Sequence, residues 1–149
     1  MEIDTLVTAN CTAWSSLTGF LAEGAGGADA LLVQEHHLGE AECCREEAWA
    51  RGTGWSTSLC PAVPTGRGGT SGGVGMLTRS FRGLGRAPGR KEAALIQGRA
   101  AMWSWNGGGV PGGLLVVSVY LECGVGMNDG NWDILKAVAE ELKMLGRPF

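Results

Sequence analysis

A short apolar run that ends in a carboxylate constrains the folding of this sequence more than any other feature. Residues 30–33 are all apolar, glycines precede them, and Gln34 and Glu35 follow. A run of this length, bounded by turn-forming and polar residues, is typical of a strand buried on both faces, as in a parallel sheet. In open α/β sheets, ligands bind just beyond the carboxyl ends of such strands. Glu35 is therefore a candidate site residue, and the alternative is a polar residue that only closes a strand.

The surrounding sequence predicts a β-α-β-α start followed by a series of strands. Strands over 3–9 and 29–34 alternate with helices over 14–23 and 39–51, which favours parallel pairing of the two strands through a right-handed crossover. The period of the apolar pattern then changes to two, and glycine, which makes up 26 of the 149 residues, marks the turns. The remaining predicted elements are strands over 55–60, 74–78, 100–105 and 114–121 and a helix over 132–145. The predicted fold class is α/β (α+β) with a mixed sheet.

Several short motifs occur in an order that resembles a known family. Asn10 ends the first predicted strand, and Leu-Val-Gln-Glu at 32–35 ends the second. A Gly-Trp turn at 54–55, a Gly-Gly-Val hairpin at 72–74 and the strand over 115–120 follow in that order. Together they resemble the endonuclease/exonuclease/phosphatase family, the fold of exonuclease III-like DNA-repair enzymes and retroelement endonucleases. The resemblance extends from about residue 3 to the end of the chain.

The resemblance implies a four-layer α-β-β-α sandwich, of which this chain is the N-terminal half. Residues 1–149 are expected to form one truncated domain, a single mixed sheet with helices on its outer face. The inner face would then lack its partner sheet and would be free for self-association. The residues expected on this uncovered inner face are Val74, Met76, Leu115, Val117 and Val119.

The resemblance also implies a function, a Mg²⁺-dependent phosphodiesterase, with Mn²⁺ as a second option. Glu35 corresponds to the metal-binding glutamate of the family, and Asn10 to an asparagine that helps to position the phosphate and the metal. Tyr120 ends its strand as the active-site tyrosine does, with its hydroxyl within reach of the phosphate. The implied substrate is a nucleic-acid backbone, with DNA favoured over RNA. The phosphatase and lipid-phosphatase branches remain open, because loops largely decide substrate choice.

Two parts of the family's site have no counterpart in the sequence. The family carries an Asp-x-Asn after a later strand and an Asp-His pair further on. The triplet Asp129-Gly130-Asn131 precedes the last predicted helix, where Asp129 or Asn131 is expected to act as its cap. The chain is therefore expected to be the N-terminal part of an endonuclease and inactive by itself. The alternative is a non-catalytic remnant or an interaction module with the same half-fold.

Two further motifs invite a functional interpretation that their geometry disfavours. Adjacent residues in an extended chain point to opposite faces, so His36 and His37 are not expected to bind one metal ion. The glycine-rich segment 66–75 lacks the Gly-Lys-Ser/Thr ending of a phosphate-binding loop, and a strand follows it. A hairpin is therefore predicted over this segment.

Charge is unevenly distributed along the chain, whose net charge is −3. Acidic residues dominate the first fifty residues, whereas residues 67–99 carry basic residues against Glu92 alone. This basic segment either contacts phosphates or is a solvated loop. Its basic residues are Arg67, Arg79, Arg82, Arg86, Arg90, Lys91 and Arg99, and its part over 79–91 is called the basic connection below.

The cysteine count indicates a reducing environment. Five cysteines are an odd number, and no signal peptide or membrane-length apolar run is recognisable. The expectation is reduced thiols in an intracellular protein, nuclear or cytoplasmic.

Overall fold

A computed structural model of the chain describes residues 4–145, and the architecture is that of ten strands and three α-helices within this range. In chain order the elements are β1 (Leu6–Asn10), α1 (Trp14–Ala22), β2 (Ala30–Gln34), α2 (Glu40–Gly52), β3 (Trp55–Cys60), β4 (Val63–Pro64), β5 (Thr70–Ser71), β6 (Val74–Arg79), β7 (Leu84–Arg86), β8 (Ala94–Ile96), β9 (Ala100–Trp105), β10 (Leu114–Val119) and α3 (Asp129–Met144).

The first sheet has the strand order β1-β2-β6-β3. β1 and β2 are parallel, as the β-α-β pattern predicts, and β6 is antiparallel to both β2 and β3. Apolar side chains of α1 at three- and four-residue spacing, such as Trp14, Leu17 and Leu21, are buried against the helical side of this sheet. That spacing puts them on one helix face, so the helix covers the outer side of the sheet.

The second sheet has the order β10-β9-β7, and β8 also pairs with β9. Strands β7 and β8 are absent from the sequence prediction, because each spans three residues in a glycine- and arginine-rich stretch. Pairing with β9 stabilises them: Leu84 lies opposite Trp105, and Ala94 lies opposite Ala101. Tertiary context thus overrides the weak local strand propensity.

The prediction of a single sheet with an uncovered inner face is wrong. Val74 and Met76 are fully buried, and they belong to one apolar cluster with Trp103, Trp105 and Val116 of the second sheet. The reason is that β9 pairs with β10 and with the short strands β7 and β8 rather than with the first sheet, so that these four strands build its partner.

The other residues predicted on the inner face, those of β10, lie instead on the outer face of that strand. Leu115, Val117 and Val119 alternate with the buried Val116 and Ser118, so they point away from the space between the sheets. They are half-buried. The two-residue period predicted this strand correctly but did not show which of its faces lies inside.

β1 extends beyond the second sheet. Gln34 of β2 donates from Nε2 to Ser118 Oγ of β10 at 2.8 Å, so β10 lies over β2 rather than over β1. Leu6, Thr8 and Asn10 share the inner face with their β2 neighbours but are exposed, Leu6 to 43%. Within residues 4–145, β1 and β10 are each paired along one edge only.

The last helix begins three residues earlier than predicted. Asn128 is its N-cap and accepts a hydrogen bond from Asn131 N at 2.9 Å, so neither Asp129 nor Asn131 is the cap. Asn131 lies in the first turn with its side chain 2% exposed. That side chain binds the backbone of Glu122 and Gly126, and so fixes the loop between β10 and α3.

Several basic side chains of the basic connection are held by contacts within the protein. Arg79 donates to the carbonyl oxygens of Ala28 and Gly24 at 3.1 and 2.9 Å. Its guanidinium also lies 4.2 Å from the centroid of the Trp55 ring. Arg82 forms an ion pair with Asp4, and Arg90 forms one with Glu141. Arg86 donates a hydrogen bond to Ser58, whereas Lys91 is exposed.

The cysteines are not cross-linked. All five are free thiols, and burial raises the pKa of Cys11 and Cys60 to about 11 and that of Cys43 to about 12. Buried thiols with raised pKa values are unreactive at neutral pH. Across residues 4–145, no helix has the length and apolar character needed to cross a membrane.

Candidate functional site

The candidate site lies where β1, β2 and β10 end. The parallel register pairs Asn10 with Gln34, so Asn10 and the residue after Gln34, Glu35, emerge at the same edge of the first sheet. Tyr120 directly follows β10 of the facing sheet. Sheet packing therefore brings together three residues that are far apart in the sequence.

Glu35 and Tyr120 are joined by a direct hydrogen bond. The Tyr120 hydroxyl donates to Oε1 of Glu35. This bond is the largest of the effects that lower the pKa of Glu35. Burial, followed by the same bond, raises the pKa of Tyr120 well above its usual value. At neutral pH the pair is thus a carboxylate and a protonated phenol.

Asn10 completes the immediate surroundings of the carboxylate. Its Oδ1 accepts a hydrogen bond from Thr12 N at 3.2 Å, which orients the amide. Hydrogen bonding from the Asn10 side chain also lowers the pKa of Glu35, by less than the Tyr120 bond does. The two predicted neighbours of Glu35 therefore both favour its charged form.

The backbone around Glu35 is strained. Glu35 and His37 have φ values of 56° and 58°, in the left-handed region that residues with side chains rarely adopt. Hydrogen bonds hold this turn to the segment around β5: His37 N donates to Gly72 O at 3.1 Å, and Thr70 Oγ1 donates to His37 O at 2.7 Å. Such strain persists only where the surroundings impose it, and it is common at functional sites.

The two adjacent histidines lie in different surroundings. His36 is 1% exposed, and its Nδ1 accepts a hydrogen bond from Leu38 N at 3.0 Å. Burial lowers the pKa of His36 to about 4, so the ring is neutral. His37 instead places Nδ1 3.0 Å from Thr70 O. His36 therefore has a structural role and is not available as a site base.

The Gly-Gly-Val motif at 72–74 is explained by close packing at this turn. Gly73 has φ of 92°, and a Cβ atom there would lie 2.5 Å from Cε1 of His36. A Cβ atom on Gly72 would lie 2.3 Å from the carbonyl oxygen of Gly98. Only glycine fits at both positions, so the motif shapes the base of the site.

Arg99 is a residue of the basic segment 67–99 that sequence reasoning did not assign to the candidate site. It precedes β9, and its carbonyl oxygen accepts a hydrogen bond from Tyr120 N at 2.7 Å. Its guanidinium carbon lies 5.0 Å from the centroid of the Tyr120 ring, and its positive charge lowers the pKa of Glu35. The sequence signals were its place in the basic segment 67–99 and its position directly before a buried strand.

The oxygen donors at the site suit a hard divalent cation in kind but are few. Glu35 offers a carboxylate and Asn10 an amide oxygen, and Mg²⁺ is commonly held by one or two carboxylates together with water and substrate phosphate. Among residues 4–145, no three His, Cys, Asp or Glu side chains lie close enough together to hold a metal ion. The candidate oxygen ligands that the described residues offer at this site are therefore Glu35 and Asn10.

Comparison with known proteins defines the fold. No family model matches the sequence, and no curated protein matches it. A solved 3'-5' exonuclease from Neisseria meningitidis matches 92% of this chain with a TM-score of 0.58 and 20% identity. A solved AP endonuclease from Leishmania major matches 95% of it with a TM-score of 0.52 and 17% identity.

These matches identify the class of fold. Both neighbours have the endonuclease/exonuclease/phosphatase fold, so the fold expected from the sequence motifs is confirmed. The chain spans about half the length of the two structures, 52% of the exonuclease and 46% of the endonuclease. At these identities the likeness establishes the fold, and the activity has to be argued from the site.

Proposed function

We propose that this chain is the N-terminal part of a Mg²⁺-dependent phosphodiesterase, an endonuclease that cleaves nucleic-acid backbones, DNA in preference to RNA. The observation that carries the proposal is the Glu35–Tyr120 hydrogen bond with Asn10 beside it. A carboxylate, a phenol and an amide at the ends of three strands are the groups that such an enzyme needs around a phosphate. Both structural neighbours are nucleases, a 3'-5' exonuclease and an AP endonuclease, which supports the same class of substrate.

Each residue has a role that follows from its chemistry. Glu35, charged at neutral pH, is the anionic ligand for the cation, and the Asn10 amide helps to orient that carboxylate. Tyr120 keeps its proton, and its single O–H, which donates to Glu35 here, would have to turn to a phosphate oxygen when substrate binds. When bound, Mg²⁺ polarises the phosphate and lowers the pKa of a bound water; Mn²⁺ can replace it.

We further propose that the 149-residue chain has no hydrolytic activity by itself. Hydrolysis requires a group that takes the proton of the attacking water. His36 is buried and neutral, and Asn131 is fully engaged in its loop, so neither can contribute to the chemistry. The remaining groups would come from outside the half of the fold that this chain represents.

The free thiols of the chain fit a reducing compartment, nuclear or cytoplasmic.

Cation binding tests this function without requiring turnover. Mn²⁺ is paramagnetic, so its binding should broaden the backbone amide NMR signals of residues close to Glu35 far more than those at the distant end of α1, near Ala22. Glu35→Gln should abolish the selective broadening, since it removes the anionic ligand at nearly constant shape. The matched control is Glu23→Gln, a carboxylate at the end of α1. Uniform or unchanged broadening in Glu35→Gln would refute the assignment of Glu35 as ligand.

A second candidate function is that of a non-catalytic interaction module. It is favoured by the inner face of β1, which extends beyond the second sheet and is called the overhang below. Leu6 is 43% exposed there, and the open edges of β1 and β10 offer unpaired backbone groups to another strand. Self-association, if it occurs, would therefore use these edges rather than the closed space between the sheets. Sedimentation of the wild type and of Leu6→Lys tests this, because a charge on the overhang should disfavour association.

A further inference from the structure

The guanidinium of Arg99 has unused hydrogen-bonding capacity inside the candidate site. Its Nη2 donates to Ser71 Oγ at 3.3 Å, whereas Nη1 is buried and has no hydrogen-bond partner among the described residues. No ion pair among residues 4–145 includes Arg99, although its positive charge lowers the pKa of the nearby Glu35. A buried charged donor without an acceptor is costly, so its persistence calls for an explanation.

The position of Arg99 is fixed from several sides. Its backbone N donates to Ile96 O at 3.0 Å, and its carbonyl oxygen accepts from Tyr120 N. Gly98 O accepts from Gly73 N at 2.9 Å, which ties the same corner to the Gly-Gly turn. The planar guanidinium packs over the Tyr120 ring. A side chain held in this way is preorganised, so little freedom is lost when it binds a ligand.

The charge balance of the site indicates what that ligand is. Without a bound cation, a phosphate approaching the Glu35 carboxylate is repelled by it, and the neutral Tyr120 hydroxyl does not offset that repulsion. A guanidinium beside both groups does, and its planar donors match phosphate oxygens better than any other side chain.

We propose that Arg99 is a phosphate-binding residue of this site and that its guanidinium donates to an oxygen of a backbone phosphodiester bound beside the hydrogen-bonded Glu35–Tyr120 pair. This inference rests on the proposed function only for the identity of the anion as a nucleic-acid phosphate. A free phosphate offers the same oxygens, so the experiment separates the two sources. The matched control is Arg67, an exposed arginine in the loop between β4 and β5.

The direct test follows the arginine side-chain NMR signals of the wild-type chain during two titrations. One uses the dinucleotide thymidylyl-thymidine, a phosphodiester, and the other uses inorganic phosphate. The Nη signals of Arg99 should shift with the dinucleotide, and those of Arg67 should not. A response to inorganic phosphate alone would overturn the diester assignment, and no response of Arg99 to either would overturn the site.

Variants give a second, independent measurement. Arg99→Gln should raise the dissociation constant for the dinucleotide by about tenfold or more, the range expected for a lost charge-assisted hydrogen bond, and Arg67→Gln should leave it unchanged. Arg99→Lys should recover only part of the affinity, because it keeps the charge but not the planar donors. Equal effects of Arg99→Gln and Arg67→Gln would refute the proposal.

The outcome is separable from that of the proposed function. Mn²⁺ broadening near Glu35 together with an unresponsive Arg99 would sustain the cation site and refute the phosphate site. A responsive Arg99 without Mn²⁺ binding would do the reverse.

Discussion

The hydroxyl of Tyr120 donates a hydrogen bond to the carboxylate of Glu35, although 85 residues separate them in the sequence. The two residues follow strands of different sheets, so the bond exists only because the sheets pack face to face. It joins the end of β2 to the end of β10 at the edge where Asn10 also emerges. The same bond sets the charge state of both groups and therefore of the candidate site.

Removing the Tyr120 hydroxyl should raise the pKa of Glu35. In Tyr120→Phe the ring remains for Arg99 to pack against, but the largest of the effects that stabilise the carboxylate is lost. Asn10→Ala removes a smaller effect and should raise the pKa less. NMR titration of the Glu35 side-chain carbon measures both. An unchanged Glu35 pKa in Tyr120→Phe would mean that the bond does not form in solution.

The protein should be more stable with glycine at position 35 than with alanine there. Its φ of 56° costs any residue with a Cβ atom about 1 kcal/mol or more, a cost that glycine avoids. We expect Glu35→Gly to unfold at a higher urea concentration than Glu35→Ala. At Gln34, within β2, the usual order should hold, with Gln34→Ala more stable than Gln34→Gly. The same order at both positions would show that the left-handed turn is absent.

Truncation of Met76 tests the packing of the two sheets. Met76 is fully buried between them, so Met76→Ala should lower the free energy of unfolding by about 2–5 kcal/mol. Val117→Ala on the half-buried outer face of β10 should cost about 1 kcal/mol or less. Urea unfolding of both variants gives the comparison. Similar small losses in both variants would mean that Met76 is not buried between two sheets, and would support the prediction of a single sheet with an open inner face.

The basic connection should matter for stability. Arg79→Ala removes two hydrogen bonds to backbone carbonyls and the packing on Trp55, so we expect a loss of about 2 kcal/mol in the free energy of unfolding. Lys91→Ala, at an exposed position of the same connection, should change it by less than about 0.5 kcal/mol. If Arg79→Ala instead left stability intact and flattened the salt dependence of nucleic-acid binding, the connection would be a phosphate contact after all.

Stability should decrease as the pH falls through the range set by His36. The unfolded chain binds a proton on His36 near pH 6.5, whereas the folded chain does so only near its pKa of about 4. The unfolded state therefore binds more protons between these values, and the free energy of unfolding should fall by up to about 3 kcal/mol over that interval. Above pH 6.5 this contribution is complete.

The variant His36→Asn isolates the histidine's share of this pH dependence. Asparagine can still accept the hydrogen bond from Leu38 N through its side-chain oxygen, but it does not titrate. The variant should be less stable at all pH values because the ring is lost from the core. Its stability should nevertheless fall less steeply between pH 6.5 and 4. An equal slope in both proteins would assign the effect to other groups.

The amino-acid sequence alone determined the local elements and the edge where the site lies. The apolar run 30–33 formed β2, and Trp14, Leu17 and Leu21 formed one face of α1, because burial of these side chains follows directly from their spacing. Strand β3 matched its predicted bounds of Trp55–Cys60. The parallel pairing of β1 and β2 followed from the connection through α1, and it placed Asn10 and Glu35 at one edge.

Only the tertiary structure decided which strands share a sheet and which charges are neutralised. Strands β7 and β8 are too short to be predicted from their own residues, since they exist through pairing with β9; with them came the second sheet and the burial of Met76. Arg82 and Arg90 find Asp4 and Glu141 at opposite ends of the chain. Such contacts join groups that are distant in the sequence and that folding brings within a few ångströms. Local propensity and periodicity therefore do not predict them. Arg99 entered the site for the same reason.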